Sequence, residues 1–325
     1  MTRAVVVDTD GGVDDAVALW WALTDPTLDV RAITVVWGNV PVEVAAANVL
    51  RVLHAAGRPD VPVAIGAAGP LTPAPDLRPA TFIHGDDGLG NVAGEPAPLQ
   101  LVDEPAVEFL ARVVADDPGN VSIITLGPLT NLGLALRAFP ALAVDTAKLV
   151  VMGGAVRRGG NALPHGEANI AHDPISAQET VLASWGTPPL LVGLDVTLVA
   201  TFTEAEFALL AEHRSPAAAF LDGPLRFYRT FASTFTQPDT PVHDLLAVLA
   251  FAHPAIITDA PTLPLAVDTA GGPAWGSTIA DFRAPYFARL EGSDQLLPEG
   301  FAPWRVALSV DVDEFRRRVR ALFGE

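Results

Sequence analysis

Apolar and polar residues follow one another along the chain in a repeating order of strand and helix patterns. Short runs rich in Val, Ile and Leu end in polar or glycine residues, and they lie at residues 4–10, 30–39, 120–127, 147–154 and 188–195. Between most of them are amphipathic segments of helical period, at residues 13–23, 42–57, 104–117 and 129–139. Continuous apolar strands that alternate with such helices predict a mainly parallel sheet covered on both faces.

The predicted fold class is therefore α/β, a Rossmann-like doubly wound sheet in a single domain of residues 1–325. Two segments near 69–91 and 222–242, rich in Pro, Gly or aromatic residues, break the rhythm and predict irregular active-site loops. We interpret the last third as edge strands followed by a terminal helix, from the patterns at 262–269, 276–282 and 304–315. In doubly wound sheets the ligand site lies outside the carboxyl ends of the strands.

Composition narrows the classes of function. The formal net charge is −18 and Lys148 is the only lysine, so we expect neither nucleic acid nor an acidic membrane as a partner. The absence of cysteine excludes disulfides, thiolate metal sites and cysteine nucleophiles. No apolar run is long enough to span a membrane and the N-terminus enters a strand pattern at once, so we expect a cytoplasmic protein.

Four aspartates crowd the end of the first strand. Asp8 and Asp10 should point to the same side at its carboxyl end, two glycines permit a tight turn, and Asp14 and Asp15 open the next helix. The helix dipole accounts for one or two acids at a helix start. Four converging carboxylates repel one another and need a counter-charge, and a hard cation with oxygen ligands is the simplest one.

One class of enzyme that places acids in this way is the phosphatases whose first strand ends in an Asp-x-Asp pair, one of them phosphorylated beside Mg²⁺. The segment "DTDGGV" is similar to that motif. The class also needs a downstream lysine for the phosphoryl group and a later acidic pair. Here Lys148 precedes a strand, and "GDDGLG" (85–90) lies early in a Pro/Gly-rich segment.

A second family matches more of the chain. "DTDGGVDDAVAL" resembles the Asp-x-Asp-x-Gly-x-Asp-Asp opening of the inosine-uridine-preferring nucleoside hydrolases. Further matches follow in the family's order: "WGN" (37–39), "IHGDDGLG" (83–90), "LGPLTNLGLAL" (126–136), "MGGAV...GGNALPHGEANIAHDP" (152–174) and "VHDLLAV" (242–248). The resemblance implies hydrolysis of the N-glycosidic bond of ribonucleosides to free base and ribose. The alternatives are the Asp-x-Asp phosphatase and a non-catalytic nucleoside-binding protein on the same fold.

The resemblance also implies a set of site residues. It implies a Ca²⁺ ion held by Asp10, Asp15, the main-chain oxygen of Leu126, and Asp244. Asp10 is then the general base that takes a proton from the attacking water, and His243 is the residue that can donate a proton to the departing base. Four positions match the family's ribose-binding residues: Asp14, Asn161, Glu167 and Asn169. Asn39 matches a residue close to the metal and the sugar.

Specificity and assembly follow from the same resemblance. A histidine at position 243 implies a preference for pyrimidine or mixed uridine/inosine substrates. We interpret His84 as part of the base subsite, with Phe227, Tyr228, Phe231 and Gln237 as further candidates for it. Aromatic residues at helical spacing are also typical of a core. The family commonly has Phe where this chain has Ala168, which removes an aromatic wall and leaves the substrate preference open. Members are usually dimers or tetramers, so we expect a homodimer or homotetramer.

Overall fold

The structure is a computed structural model that describes residues 2–72, 77–235, 239–283 and 299–325, with the main chain alone at 232–235. The strands in these ranges are β1 (Arg3–Thr9), β2 (Leu28–Val35), β3 (Val63–Ile65), β4 (Ser122–Thr125), β5 (Leu149–Met152), β6 (Leu190–Val192), β7 (Thr201–Phe202), β8 (Thr240–Pro241), β9 (Ile257–Asp259), β10 (Thr262–Val267), β11 (Thr278–Ala280), β12 (Ala302–Val306) and β13 (Ser309–Val310).

The helices connect these strands. They are α1 (Val13–Thr24), α2 (Val42–Ala55), α3 (Thr81–His84), α4 (Ala106–Ala115), α5 (Thr130–Ala138), α6 (Leu142–Asp145), α7 (Ala168–His172), α8 (Pro174–Leu182), α9 (Leu194–Thr197), α10 (Glu204–Ala211), α11 (Pro216–Phe235), α12 (His243–Ala252) and α13 (Val312–Phe323), with a 3₁₀ turn at Pro254–Ile256. No helix in the described ranges is long and apolar enough to cross a lipid bilayer.

Nine strands form one central sheet in the order β11-β10-β12-β6-β5-β4-β1-β2-β3. The seven strands from β12 to β3 run parallel, and β10 is antiparallel to both of its neighbours. The chain adds β2 and β3 on one side of β1 and β4, β5 and β6 on the other. The predicted doubly wound α/β fold is confirmed, and its topological switch point lies between β1 and β4.

The core lies on both faces of the sheet, because neighbouring side chains of a strand point to opposite sides. Val5 and Val7 of β1 pack with α1, α2, α11, α12 and α13. Val6, between them, packs on the other face with α4, α5 and α8. With both faces covered, polar side chains gather at the ends of the strands.

One predicted irregular segment is mostly helical. Residues 222–235 belong to α11, and Pro224 lies inside this helix. The mixture of aromatic residues with "TQPDTP" at 236–241 suggested a loop, and a proline inside a helix is also unfavourable because it removes a helical N–H. Leu221, Leu225 and Tyr228 of α11 are buried, so packing of one face outweighs the local preference. The other segment, near 69–91, contains α3 within its described part.

The prediction of edge strands in the last third is correct only for β11. Strand β12 pairs with β6 on one side and β10 on the other, so it is an interior strand. Pro303 and Arg305 are typical of edge strands, so the local sequence did not indicate an interior strand. Trp304 between them is buried in the core. The terminal helix is confirmed as α13.

Candidate active site

Polar side chains and a main-chain carbonyl lie at the switch point, where the parallel strands end. Asp10 follows β1, Asn39 follows β2 and Leu126 follows β4. The carboxyl ends of parallel strands share one edge of the sheet, so these three residues come from distant parts of the chain to one place. Lys148 precedes β5 and lies at the opposite, amino edge.

The turn between β1 and α1 is held by Asp15. Its Oδ1 accepts hydrogen bonds from the Thr9 hydroxyl and from the main-chain N of Asp10 at 3.2 Å, and its Oδ2 accepts one from the N of Gly12 at 2.9 Å. Gly11 has φ +66°, and a Cβ there would lie 2.6 Å from the Cα of Ala45. The turn therefore requires glycine, and it brings the acids that flank it close together.

Three carboxylates form a compact cluster, which we name the acidic cluster: Asp14, Asp15 and Asp244. One oxygen from each lies within 4.8 Å of the others, and all three residues are buried. Asp14 and Asp15 are in the first turn of α1, and Asp244 is in the first turn of α12. Two helix N-termini with their partial positive charge therefore face these acids.

No Lys or Arg among the described residues forms an ion pair with the acidic cluster. Burial, with the charge of Asp15, raises the pKa of Asp14 to about 7, and burial with the charge of Asp14 raises the pKa of Asp244 well above its ordinary value. Within the described ranges the nearest basic group in an ion pair is His84, whose Nδ1 lies 3.9 Å from Asp14 Oδ1. Burial lowers the pKa of His84 to about 4, so this ring is neutral at pH 7.

These residues fit a hard divalent cation. The donors are carboxylate oxygens, the chain has no cysteine, and Asp14 Oδ1 is buried without a hydrogen-bond partner among the described residues. A buried unpaired carboxylate oxygen is expensive, and a cation at this point would satisfy it. The arrangement can therefore hold a metal ion.

Asp10 adjoins the acidic cluster and is oriented by Asn39. The main-chain N of Asn39 donates to Asp10 Oδ2 at 2.8 Å, and its Nδ2 donates to Asp10 Oδ1 at 2.9 Å and to Asp15 Oδ2 at 3.1 Å. Burial and the charge of Asp15 raise the pKa of Asp10 well above its ordinary value. Asp10 is therefore a fixed, buried carboxyl group with a raised proton affinity, which suits a general base.

The carbonyl of Leu126 lies just after β4, at the same edge of the sheet. It accepts a hydrogen bond from Asn169 Nδ2 at 2.6 Å. Glu167 is the N-cap of α7, and its carboxylate accepts main-chain N–H groups of Asn169, Ile170 and Gly154 at 2.9–3.2 Å. The structure thus buries Glu167 and Asn169 and places Asn169 against the carbonyl that follows β4.

Asn161 has a different environment from these two residues. It is exposed, and its Oδ1 accepts the main-chain N of Ala168 at 2.9 Å. In this structure it anchors the segment before α7. Ala168 is half-buried in the first turn of that helix.

His84 and His243 both adjoin the acidic cluster, His84 through Asp14 and His243 as the residue before Asp244. His243 Nδ1 is 2.7 Å from Thr197 Oγ1, while His84 Nδ1 accepts the main-chain N of Val13 at 3.0 Å. Burial lowers the pKa of His243 to about 4, and nearby His84 adds to this shift. The ring of Tyr228 lies 5.3 Å from that of His84. The two helical segments α3 and α11 therefore meet beside the acids.

The remaining aromatic candidates have separate surroundings. Phe227 packs on Gly90, and the ring of Phe231 lies 5.0 Å from that of Phe82. Gln237 lies outside the described residues. Of the candidate base-subsite residues, the structure therefore places Tyr228 against His84 beside the acids.

Asp8 does not join the acidic cluster. Its Oδ1 accepts hydrogen bonds from Thr34 Oγ1 at 2.6 Å and Asn131 Nδ2 at 2.8 Å, and it ties β1 to β2 and α5. Residue 9 ends β1, so Asp10 lies in the turn and the strand alternation that would align it with Asp8 no longer applies. The sequence also gave no sign of Thr197, a lone threonine after β6 whose role depends on a contact 46 residues away.

The doubly wound sheet and the buried acidic cluster define the class as an α/β protein whose site can hold a metal ion. A family model described as inosine-uridine preferring nucleoside hydrolase matches residues 5–317. Uridine nucleosidase 1 of Arabidopsis thaliana is 33% identical over 318 residues, which cover 98% of this chain and 92% of that protein.

Two further comparisons agree. The non-specific ribonucleoside hydrolase RihC of Salmonella schwarzengrund is 34% identical over 321 residues, covering 98% of this chain and 97% of that protein. The solved structure of the plant nucleoside hydrolase PpNRh1 matches with a TM-score of 0.89 and 31% identity, covering 99% of this chain and 98% of the other. The chain belongs to the inosine-uridine preferring nucleoside hydrolase family. It is a ribonucleoside hydrolase, and the family assignment removes the phosphatase alternative.

Proposed function

We propose that the protein hydrolyses the N-glycosidic bond of ribonucleosides in a Ca²⁺-dependent reaction, with a preference for pyrimidine or mixed uridine/inosine substrates. The observation that carries this proposal is the buried acidic cluster, whose negative charge no Lys or Arg ion pair within the described ranges offsets. Ca²⁺ takes six to eight oxygen ligands in flexible geometry, which suits carboxylates and a carbonyl. The ligands in the proposal are Asp10, Asp15, the main-chain oxygen of Leu126, and Asp244.

When bound, Ca²⁺ would lower the pKa of a coordinated water and bind sugar hydroxyls. Asp10 takes one proton from the attacking water, and the hydroxyl that remains forms the new bond to the anomeric carbon of ribose. The glycosidic bond breaks, and the base leaves with its electron pair and takes up one proton. Asn39 supports this role because its two donors fix both oxygens of Asp10.

Binding of the sugar is proposed for Asp14 of the acidic cluster and for polar residues that follow β2 and β5. Asp14 Oδ1 is buried without a hydrogen-bond partner among the described residues, so it can accept a sugar hydroxyl or join the metal ligands. Asn169 lies within hydrogen-bond distance of the Leu126 carbonyl, at the predicted metal site. The ribose-binding set in the proposal is Asp14, Asn39, Asn161, Glu167 and Asn169.

On the base side, we propose that His243 offers an N–H to the departing base and that His84 contacts the base. The contact of His84 with Tyr228 supports an aromatic wall at this subsite. The preference for pyrimidine or mixed substrates is supported by relatives named uridine nucleosidase and non-specific ribonucleoside hydrolase. The segments near 69–91 and 222–242 are proposed to border the substrate.

The decisive experiment measures the release of reducing sugar from uridine and inosine, with and without a chelator, followed by addition of Ca²⁺. We expect turnover of both nucleosides, loss with the chelator and recovery with Ca²⁺. A non-catalytic nucleoside-binding protein would bind uridine and release no sugar in any condition. Turnover that the chelator leaves unchanged would overturn the metal assignment alone.

Three further predictions complete the proposal. The chain is proposed to form a single domain over residues 1–325, to assemble as a homodimer or homotetramer, and to act in nucleoside salvage in the cytoplasm. Light scattering coupled to size exclusion measures the assembly directly. A monomeric mass at micromolar concentration would contradict the proposed homodimer or homotetramer.

A further inference from the structure

A contact between Thr197 and His243 connects α9 with α12. Thr197 lies at the end of α9, just after β6, and its relative exposure is 0%. His243 is the first residue of α12, next to Asp244 of the acidic cluster. Thr197 Oγ1 and His243 Nδ1 are 2.7 Å apart, which is a normal hydrogen-bond distance.

The direction of this hydrogen bond follows from the surroundings of Thr197. Within the described ranges, His243 Nδ1 is the one hydrogen-bond partner of the hydroxyl, and the main-chain N–H of Thr197 goes to Gly193 O at 3.1 Å. If the ring donated to the hydroxyl, the hydroxyl proton would be buried without an acceptor, at a cost of about 1–3 kcal/mol. The arrangement that satisfies every group has the hydroxyl donating and Nδ1 accepting.

The tautomer of His243 follows from that direction. In a neutral imidazole one nitrogen carries the proton and the other accepts, and the hydrogen bond made by one nitrogen decides the state of the other. With Nδ1 accepting from Thr197, the proton is on Nε2. Nε2 has no hydrogen-bond partner among the described residues, and the ring is half-buried, so this N–H remains available to a substrate.

We propose that Thr197 is a positioning residue that holds His243 in the tautomer with a proton on Nε2, so that the ring presents an N–H to the departing base. The proposal rests on the proposed function, in which His243 lies beside the leaving group. Thr197 does not touch the substrate in this proposal. It acts by excluding the tautomer that would turn an acceptor toward a base that is gaining negative charge.

Two substitutions at Thr197 test this role. Thr197→Val keeps the shape of the side chain and removes the hydroxyl, whereas Thr197→Ser keeps the hydroxyl. Each variant is assayed with uridine, whose base is a poor leaving group, and with nitrophenyl riboside, whose leaving group needs no proton. We expect Thr197→Val to lower kcat on uridine about 10–100-fold. It should change kcat on nitrophenyl riboside by less than about threefold. Thr197→Ser should restore the uridine rate to within about threefold of the wild type.

The reference variant His243→Ala distinguishes a failure of the role of Thr197 from a failure of the role of His243. If His243→Ala lowers the uridine rate selectively and Thr197→Val does not, the role of Thr197 is overturned while the proposed function stands. If His243→Ala affects both substrates equally, the role of His243 in the proposed function fails. Equal losses on both substrates for Thr197→Val, in a protein with wild-type thermal unfolding, would also overturn the positioning role.

A spectroscopic measurement applies even if a substitution prevents folding. The ¹⁵N chemical shifts of the wild-type His243 ring report which nitrogen carries the proton. We expect a protonated Nε2 and an unprotonated Nδ1 in the wild type. A protonated Nδ1 in the neutral wild-type ring would overturn the proposal without any variant.

Discussion

Gly38 lies against the carboxylate of Asp10, and a Cβ atom at position 38 would overlap Asp10 Oδ2. The reason for glycine here is therefore steric, because the side chain of a catalytic candidate occupies the space that any other residue would need. Asp10 is held from three sides, by residue 38, by Asn39 and by the β1–α1 turn.

The substitution Gly38→Ala should displace the Asp10 carboxylate. A displacement of about 1 Å at a reacting group lowers the rate by about 100-fold, so we expect a loss of that size in kcat on uridine. The matched control is Gly186→Ala, because the nearest atom to a Cβ there is Val144 O at 3.8 Å. Wild-type turnover in Gly38→Ala would contradict the steric relationship.

Asn39→Asp should impair turnover through Asp10. The change keeps the size of the side chain, removes the Nδ2 donor to Asp10 and Asp15, and adds a negative charge beside them. We expect kcat to fall about 10–100-fold. Asn120→Asp is the control, since Asn120 Nδ2 also donates to a carboxylate, that of Asp117, but on the exposed surface. Similar rates for both variants would exclude the orienting role of Asn39.

Asp10→Ala should abolish turnover and leave the fold intact. Removal of a general base lowers rates by about 10²–10⁴-fold, and Asp10 is in addition a proposed metal ligand. The metal-free variant should unfold at the same temperature as the metal-free wild type or higher, because one of several mutually repelling carboxylates is gone. Circular dichroism melting curves measure this, and a large loss of thermal stability would show that Asp10 is needed for folding instead.

Ca²⁺ should stabilise the folded protein. A ligand present at 100 times its Kd raises the free energy of unfolding by about 2.7 kcal/mol if it binds only the folded state. Chemical unfolding of the chelated protein, with and without added Ca²⁺, measures the difference. Asp244→Asn should reduce the effect, and Asp116→Asn, an exposed substitution, should not. Identical unfolding curves with and without Ca²⁺ would refute the calcium site.

A pH-dependent prediction concerns Glu206, far from the proposed chemistry. Burial raises its pKa, but hydrogen bonds from Thr203 and the pairing with Arg320 outweigh burial and hold the pKa below its ordinary value of 4.5. A depressed folded-state pKa contributes stability above pH 4.5, and this stability is lost as the pH falls through the folded-state pKa.

The substitution Glu206→Gln should therefore destabilise the protein by about 1.5–3 kcal/mol at pH 7, since it replaces a charged hydrogen-bonding group. The difference from the wild type should shrink below pH 4.5. Urea unfolding at both pH values measures it, and turnover of uridine at pH 7 should stay unchanged. A difference that is constant with pH would argue against the ionised pairing with Arg320.

The sequence predicted the parts of the fold that have long, continuous patterns. Strands β1, β2, β4, β5 and β6 and helices α1, α2, α4 and α5 are confirmed, because each has an unbroken apolar run or a clear helical period. Strand β3 has only three residues, and α11 contains Pro224, so local patterns were too short or misleading there. The interior place of β12 depends on pairing with β6, more than 100 residues earlier, and no local pattern encodes it.

For the site, sequence motifs identified residues but not their contacts. The motifs placed Asp10, Asp14, Asp15 and Asp244 in one site, and the structure brings the last three within 4.8 Å. The ligand set itself stays a prediction. The prediction that Asp8 converges with the other aspartates was wrong, because Thr34 and Asn131 hold Asp8 elsewhere through long-range hydrogen bonds.

The interior place of β12 has a consequence for biosynthesis. A ribosome must add residues 302–306 before the strand that borders β6 exists, so the sheet remains incomplete for more than 100 residues after β6 has been made. Until then β6, which leads directly to Thr197, has an open flank on the nascent polypeptide. A polypeptide that stops at residue 311 would thus keep β12 and lack α13, whereas one that stops before residue 302 would have an exposed parallel strand and be prone to aggregation.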